Sequence, residues 1–365
     1  MRYIVIGAGA IGGTLGGRLA QHGHEVVLVA RGAHADRLAE HGLRLLTPTG
    51  PVEVQTAVAR GPEDVVLTTD DVLVLAVKVQ DAAGLLADWA AAPVHPHAPD
   101  AAGTTPQAAE DGAGEGLPGA TAGELLPVVC AQNGVEGERL AQRWFRRVVG
   151  ACLYLPASHL EPGVVVSEGV PVSGVLVLGR YPAGSDGIVE QVAADLAGSG
   201  FAARVSDDVM AAKRGKLLDN TGNAVDAVCR PGPGWEELRA DARQEARTVL
   251  EAARLPALDR AAAFPGYARL GFRTAPVAGA ERPGSSSWQS LRRGGSVETD
   301  WLNGEIVLLG RRHGVPVPVN EALQVLADVS ARRGTGPRAF DVADVRRLAL
   351  RLAPAAAAGR SPERL

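Results

Sequence analysis

Apolar and polar positions along this chain follow two rhythms. Tyr3-Ile4-Val5-Ile6 is an unbroken strand-forming run; after a short glycine-rich break, Ile11, Leu15 and Leu19 recur at the spacing of a helix over 11–21. Residues 25–30 predict a second strand and about 33–41 a short helix. Residues 43–59, broken by Pro48, Gly50 and Pro51, predict an irregular strand pair. The run 72–77 is apolar at every position, as in a parallel strand buried on both faces, and 79–90 reads as a helix. Strand patterns return at 127–131, 148–155, 164–166, 175–178 and 201–205, with a helix at about 187–197. From Asp207 the period turns helical and holds to about Leu352, with amphipathic runs at 209–228 and 235–254.

Composition changes this picture in three places. At 365 residues, 46 % apolar and 21 % charged, the chain has the length of two soluble globular domains. A net charge of −4 with no basic tail or patch excludes nucleic acid and anionic membrane as expected partners. No apolar run is long enough to span a bilayer, and a first strand beginning at residue 2 leaves no room for a signal peptide. Cys130, Cys152 and Cys229 are odd in number and far apart, which suits small buried hydrophobes in a reducing compartment better than a disulfide framework or a metal site. The expectation is a cytoplasmic protein without metal. Residues 91–123 hold Val94 and Leu117 as their larger apolar residues and no cation, so this stretch is expected to be a disordered insertion. Finally, only three of the 37 basic residues are lysine: Lys78, Lys213 and Lys216. Arginine holds its proton too firmly to give it up, so positions that remain lysine in so arginine-rich a chain are candidates for chemistry.

The first break carries the strongest motif. In Gly7-Ala8-Gly9-Ala10-Ile11-Gly12, Gly7 permits the turn, Gly9 lets the backbone approach a pyrophosphate, and Gly12 lets the helix lie close on the strand. A diphosphate would sit at the free N–H groups of the helix start. An ordinary βα turn is the other reading, but a strand before it and a helix after it favour a dinucleotide. After the second strand stands Arg31 where NAD- and FAD-binding chains usually place an acid, and no acid lies between Val26 and His34. A guanidinium suits a 2′-phosphate, which points to NADP(H); a solvated surface arginine is the alternative. The predicted fold class is therefore α/β, an N-terminal Rossmann-type doubly wound sheet followed by an all-α C-terminal domain. The expected boundaries are 1–206 for the NADP-binding domain, 207–353 for a helical substrate and catalytic domain, and 354–365 for a flexible tail.

Candidate chemistry gathers at strand ends and on one helix. Lys78 and Asn133 follow apolar strands at the carboxyl edge of the sheet, where ligands bind in such folds, although Asn133-Gly134 is also a common turn dipeptide. Lys213, Lys216, Asn220 and Asn223 are spaced by three, four and three residues, which places them on one helix face. That row is either a surface turned towards a polar ligand or a wet side. The run Ser285-Ser286-Ser287-Trp288 could simply cap a helix, and Glu298, Asp300 and Asn303 could form an acidic first turn.

Taken in order, GAGAIG, Arg31, "VKVQD" with Lys78, "QNGVE" with Asn133, "KLLDN" with Lys216 and Asn220, and "SSSWQ…VETDWLNG" with Ser286 and Glu298 resemble the ketopantoate reductases (2-dehydropantoate 2-reductases), over nearly everything but 91–123 and the C-terminal tail. "HGVPVPVNEAL" is similar to the closing segment of that family. The resemblance implies Lys216 as the general acid that protonates the substrate carbonyl while NADPH delivers hydride, and Glu298 as the residue that orients it and helps to hold the cofactor. It implies Asn220, Asn223 and the Ser286 region as substrate-binding. For the cofactor it implies Gly7, Ala8, Gly9, Ala10, Ile11, Gly12, Arg31, Lys78 and Asn133. Lys213 receives no role. Where the family often has asparagines or an aspartate on the substrate side, this chain has Ala224, Gly234, Pro283 and Ser290. Those departures leave the hydride and proton machinery in place but bear on which 2-oxo acid is reduced.

The expected reaction is therefore NADPH-dependent reduction of 2-dehydropantoate to pantoate, on the route to coenzyme A. One rival is a paralogue of the same mechanism acting on another 2-oxo acid or ketone. A second is a non-catalytic NADP-binding redox sensor, which would need no proton donor. The expected partner is a small 2-oxo acid, and a homodimer stays open.

Overall fold

β1 (Arg2–Ile6) is buried on both sides, and its alternation sorts its residues between two cores. Tyr3 and Val5 pack with Leu15 and Leu19 of α1 (Ala10–Gln21), and Ile4 and Ile6 pack with Leu86 and Trp89 of the helix Ala82–Ala90 on the opposite face. This computed structural model describes residues 1–96, 119–280 and 284–353. The chain divides into unit 1, Met1–Lys213 with Leu258–Arg282, and unit 2, Arg214–Ala257 with Pro283–Leu365.

Unit 1 is built on one sheet of eight strands. After β1 come β2 (Glu25–Val29), β3 (Ala57–Ala59), β4 (Asp71–Leu75), β5 (Pro127–Cys130), β6 (Arg147–Tyr154), β7 (Val175–Arg180) and β8 (Ala202–Val205). Their spatial order is β8-β7-β6-β5-β4-β1-β2-β3. From β3 to β6 all neighbours are parallel; β7 runs antiparallel to β6, and β8 follows β7. The chain leaves β1 for β2 on one side and later returns to β4 on the other, so a crevice opens at the carboxyl end of β1. A smaller sheet, in the order Ala157–Glu161, Val164–Ser167, Leu43–Thr47, Gly50–Val54, lies over α1. A Cβ at Gly13 would stand 2.8 Å from Val165 Cγ2, so the absent side chain is what allows helix and sheet this close.

Unit 2 contains the end of the helix Val209–Asn220 and the helices Gly222–Val228, Trp235–Ala252, Ser286–Arg292, Asn303–His313, Pro318–Arg333 and Val342–Leu352. Among its described residues there is no strand. Its core joins Val225, Val228, Leu238, Trp288, Leu323 and Val345. A polar brace crosses it: buried Asn303 donates to Asn320 Oδ1 at 2.9 Å, and Asn320 donates to Glu245 Oε2 at 2.8 Å. The Glu245 carboxylate also accepts the backbone N–H groups of Val319 and Asn320, both at 2.9 Å, so it caps the helix Pro318–Arg333.

Three details differ from the sequence reading. Residues 91–123 were expected to be unstructured throughout, yet Val94–His95 pairs with Leu67–Thr68, and Thr121 and Glu124 form a capping box on the turn Ala122–Leu125. Val94, Ala122 and Leu126 supply the buried apolar surface that orders these flanks. The rest of that expectation, 97–118, and the tail from 354 lie outside the described residues. The helical run from Asp207 is also interrupted, because Leu258–Arg282 belongs to unit 1. Arg273–Thr274 pairs with Gly169–Val170, and Phe264, Tyr267 and Phe272 pack around Cys152, Tyr154 and Val175, apolar positions at the β6–β7 end of the sheet. The third concerns the row of Lys213, Lys216, Asn220 and Asn223. The helix carrying the first three ends at Asn220, and Asn223 lies on the next one, beyond Thr221.

Candidate active site

Register brings the candidate cofactor residues of unit 1 together. Ile6 is level with Val29 on one side and Leu75 on the other, and Leu75 is level with Cys130. The segments that follow, Gly7–Gly12, Arg31, Lys78 and Asn133, therefore all leave the sheet along one edge. The strand before Lys78 is shorter than its apolar run: β4 stops at Leu75, and Lys78 precedes the short turn Val79–Asp81.

The glycines of the turn differ in what surrounds them. Gly7 has φ +101°, and a Cβ there would meet Val77 Cγ1 at 2.6 Å. A Cβ at Gly12 would lie 2.0 Å from the Gly7 carbonyl. At Gly9, by contrast, nothing stands within 4 Å of where a Cβ would be, and no side chain caps the start of α1. Two glycines are thus required by crowding and the third opens on space beside uncapped helix amides, a cradle that fits a diphosphate. Arg31 stands at the N-cap of α2 (Gly32–His41), exposed, and among the described residues its guanidinium has no carboxylate partner.

Behind this edge lies a polar network that the sequence reading missed. Gln132 Nε2 donates to the Val77 carbonyl at 2.9 Å, joining the segments that carry Asn133 and Lys78. The buried Lys213 ammonium donates to the Gln132 carbonyl at 2.9 Å and to the Glu138 carboxylate. Burial pushes the Glu138 carboxyl above its ordinary range, and the Lys213 ammonium pulls it back. The Cys130 thiol is pushed up as well, by burial and by Glu138. Lys213, at 3 % exposure, therefore has a structural task, and its ammonium is committed within unit 1. No local signal marks Glu138, which stands between Glu136 and Arg139 in the sequence; its burial comes from the fold.

In unit 2, Lys216 and Asn220 lie one turn apart on the same helix. Asn220 is 8 % exposed, and its Nδ2 is a buried donor with no hydrogen-bond partner among the described residues. A buried unmet donor is costly, and a ligand's oxygen would satisfy it. The elements carrying Asn223 and Ser286 are tied together: Ser285 Oγ donates to the Asn223 carbonyl at 3.2 Å, and Ser285 N–H donates to Asp226 Oδ2 at 2.6 Å. Burial would raise the Asp226 carboxyl, but the Ser285 N–H and the Arg338 guanidinium outweigh it and hold the group below its ordinary value. Ser286 opens the helix Ser286–Arg292, and Glu298 precedes the turn Thr299–Trp301.

An open, mostly parallel sheet with a glycine turn at its switch point, with a second unit that is all helical among its described residues, defines the class: an α/β protein of the doubly wound kind with a helical second unit. The family ketopantoate reductase PanE/ApbA matches residues 3–183, and the family ketopantoate reductase PanE/ApbA C terminal matches residues 217–330. The chain belongs to the ketopantoate reductase family, which makes it an oxidoreductase. A 2-dehydropantoate 2-reductase of Halobacterium salinarum is 29 % identical over 341 residues, covering 92 % of this chain and 100 % of that one. The structure of a PanE/ApbA family ketopantoate reductase from Ralstonia eutropha is similar with a TM-score of 0.70 and 26 % identity, covering 92 % of this chain and all of that one. D-mandelate dehydrogenase, solved with NADH and anilino(oxo)acetate, shares the fold with a TM-score of 0.70 at 20 % identity, covering 92 % of this chain and 100 % of that one.

Proposed function

We propose that this protein reduces 2-dehydropantoate to pantoate with NADPH in pantothenate and coenzyme A biosynthesis. The observation that carries the reading is Asn220, a buried amide donor without a partner among the described residues, one helical turn beyond Lys216. In this reading Gly7, Ala8, Gly9, Ala10, Ile11 and Gly12 cradle the diphosphate, Arg31 binds the 2′-phosphate, and Lys78 and Asn133 hold the nicotinamide side. NADPH, when bound, supplies the hydride. Lys216 donates a proton to the carbonyl oxygen of the substrate, where negative charge develops in the transition state. Glu298 keeps that lysine charged and oriented. Asn220, Asn223 and Ser286 hold the substrate's hydroxyl and carboxylate. The test is NADPH oxidation with ketopantoate, followed at the nicotinamide absorbance, beside a panel of other 2-oxo acids. Turnover fastest with ketopantoate is expected. Faster turnover of another 2-oxo acid would replace the substrate, as Ala224, Gly234 and Ser290 would allow.

The cofactor choice has its own test. Arg31→Ala is expected to weaken NADPH binding by about ten- to a hundred-fold, the scale of lost charged hydrogen bonds, and to leave NADH binding within about two-fold. Equal losses for both cofactors would show that Arg31 does not read the 2′-phosphate.

A further inference from the structure

His34, on α2, reaches back to the glycine turn. Its Nδ1 lies 2.9 Å from the Gly163 backbone N–H, which can only donate, so Nδ1 is the acceptor. The ring proton therefore sits on Nε2, which is 2.8 Å from the Ala8 carbonyl and donates to it. His159 packs edge-on against this ring at a centroid distance of 4.5 Å, with its Nε2 3.3 Å from His34 Nδ1. Gly163 and His159 belong to the hairpin Ala157–Glu161 and Val164–Ser167 of the smaller sheet, well over a hundred residues from the turn in sequence. The Ala8 N–H is held from the other side by the Val29 carbonyl at 3.0 Å. Ala8 is thus clamped between β2 and His34, directly before Gly9 and its open space.

We propose that His34 is a positioning residue for the dinucleotide: through its Nε2–H tautomer, set by Gly163, it fixes the Ala8 peptide so that the turn is already in its binding shape before the cofactor arrives. This rests on the reading of the turn as a cofactor cradle. The bond to Gly163 sets the ring, and the bond to Ala8 does the positioning, so the two can be separated chemically. Gln at position 34 carries an amide N–H that can stand in for Nε2–H, and Asn carries an amide oxygen that can stand in for Nδ1.

The experiment is NADPH titration of His34→Gln and His34→Asn by cofactor fluorescence without substrate, with thermal melting of both and 15N-histidine NMR of the wild type. His34→Gln is expected to bind within about threefold of wild type and His34→Asn about tenfold more weakly, the scale of one neutral hydrogen bond, while the two melt alike. The NMR is expected to show His34 protonated at Nε2. Equal binding by the two variants, or affinity losses that track melting, overturns the positioning role. A proton on Nδ1 overturns the tautomer and the role with it. A wild-type protein that fails to bind NADPH overturns the underlying cofactor reading, a result distinct from either.

Discussion

Lys216→Ala is expected to lower turnover of ketopantoate by about a hundred- to ten-thousand-fold while NADPH binding stays within about twofold of wild type. The size follows from what one positioned proton donor contributes, and the unchanged binding follows from the proposed roles, in which Lys216 serves the substrate carbonyl and the glycine turn serves the cofactor. Lys216→Arg separates the two tasks of the lysine. A guanidinium keeps the positive charge but holds its proton too firmly to transfer it, so this variant is expected to remain at least about a hundredfold impaired. Steady-state kinetics with a parallel NADPH titration reads both variants. An active Arg variant would mean that charge alone is needed. An active Ala variant would move the proton donor to another residue and remove Lys216 from the chemistry.

The second large effect concerns stability. Lys213→Met leaves the fully buried Glu138 without its cation and is expected to cost about 3–5 kcal/mol at neutral pH. Glu138→Leu is expected to cost a similar amount by stranding the ammonium, whereas Lys213→Met/Glu138→Leu together recover most of the loss, since an apolar pair carries no desolvation penalty. The pH dependence has a definite sign. Burial already raises the Glu138 carboxyl, and without Lys213 it rises further. A carboxyl raised in the folded state is tolerated while protonated, so the penalty is small below its unfolded value of about 4.3 and grows as pH climbs through the folded one. Urea denaturation at about pH 5 and about pH 8 is expected to show the larger loss at the higher pH. Equal losses at both would mean that the stranded carboxylate is not the cause.

Much of unit 1 was legible because its signals are local. The alternation Tyr3, Ile4, Val5, Ile6 and the glycine spacing of Gly7, Gly9 and Gly12 that follows it are both written within one short stretch, although the crowding at Gly7 is supplied by Val77. What the sequence hid depends on register between distant segments. Lys213 and Glu138 are 75 residues apart, and nothing in either neighbourhood announces the other. His34 likewise reads as an ordinary helix residue until the hairpin at Gly163 is laid beside it. The sequence reading left the segment Leu258–Arg282 inside the helical run because its aromatic residues have no period of their own; they are ordered by the sheet end they cover. Lys216, Asn220, Ser286 and Glu298 are singled out by the resemblance to the ketopantoate reductases, since helix spacing alone leaves Lys216 and Asn220 open to a wet-side reading, and the structure adds the unmet donor at Asn220.

The return of Leu258–Arg282 has a consequence for synthesis and for dissection of the protein. The chain passes from one unit to the other at three points, after Lys213, Ala257 and Arg282, so no single cut separates them. A fragment ending near residue 206 would leave Tyr154 and Val175 without Phe264, Tyr267 and Phe272 over them. On the ribosome unit 1 is likewise incomplete until residue 282 has emerged, by which time the helices at Gly222–Val228 and Trp235–Ala252 have already been made. The two units are therefore finished in overlapping rather than successive stages, although one begins at the N-terminus and the other reaches the end of the chain.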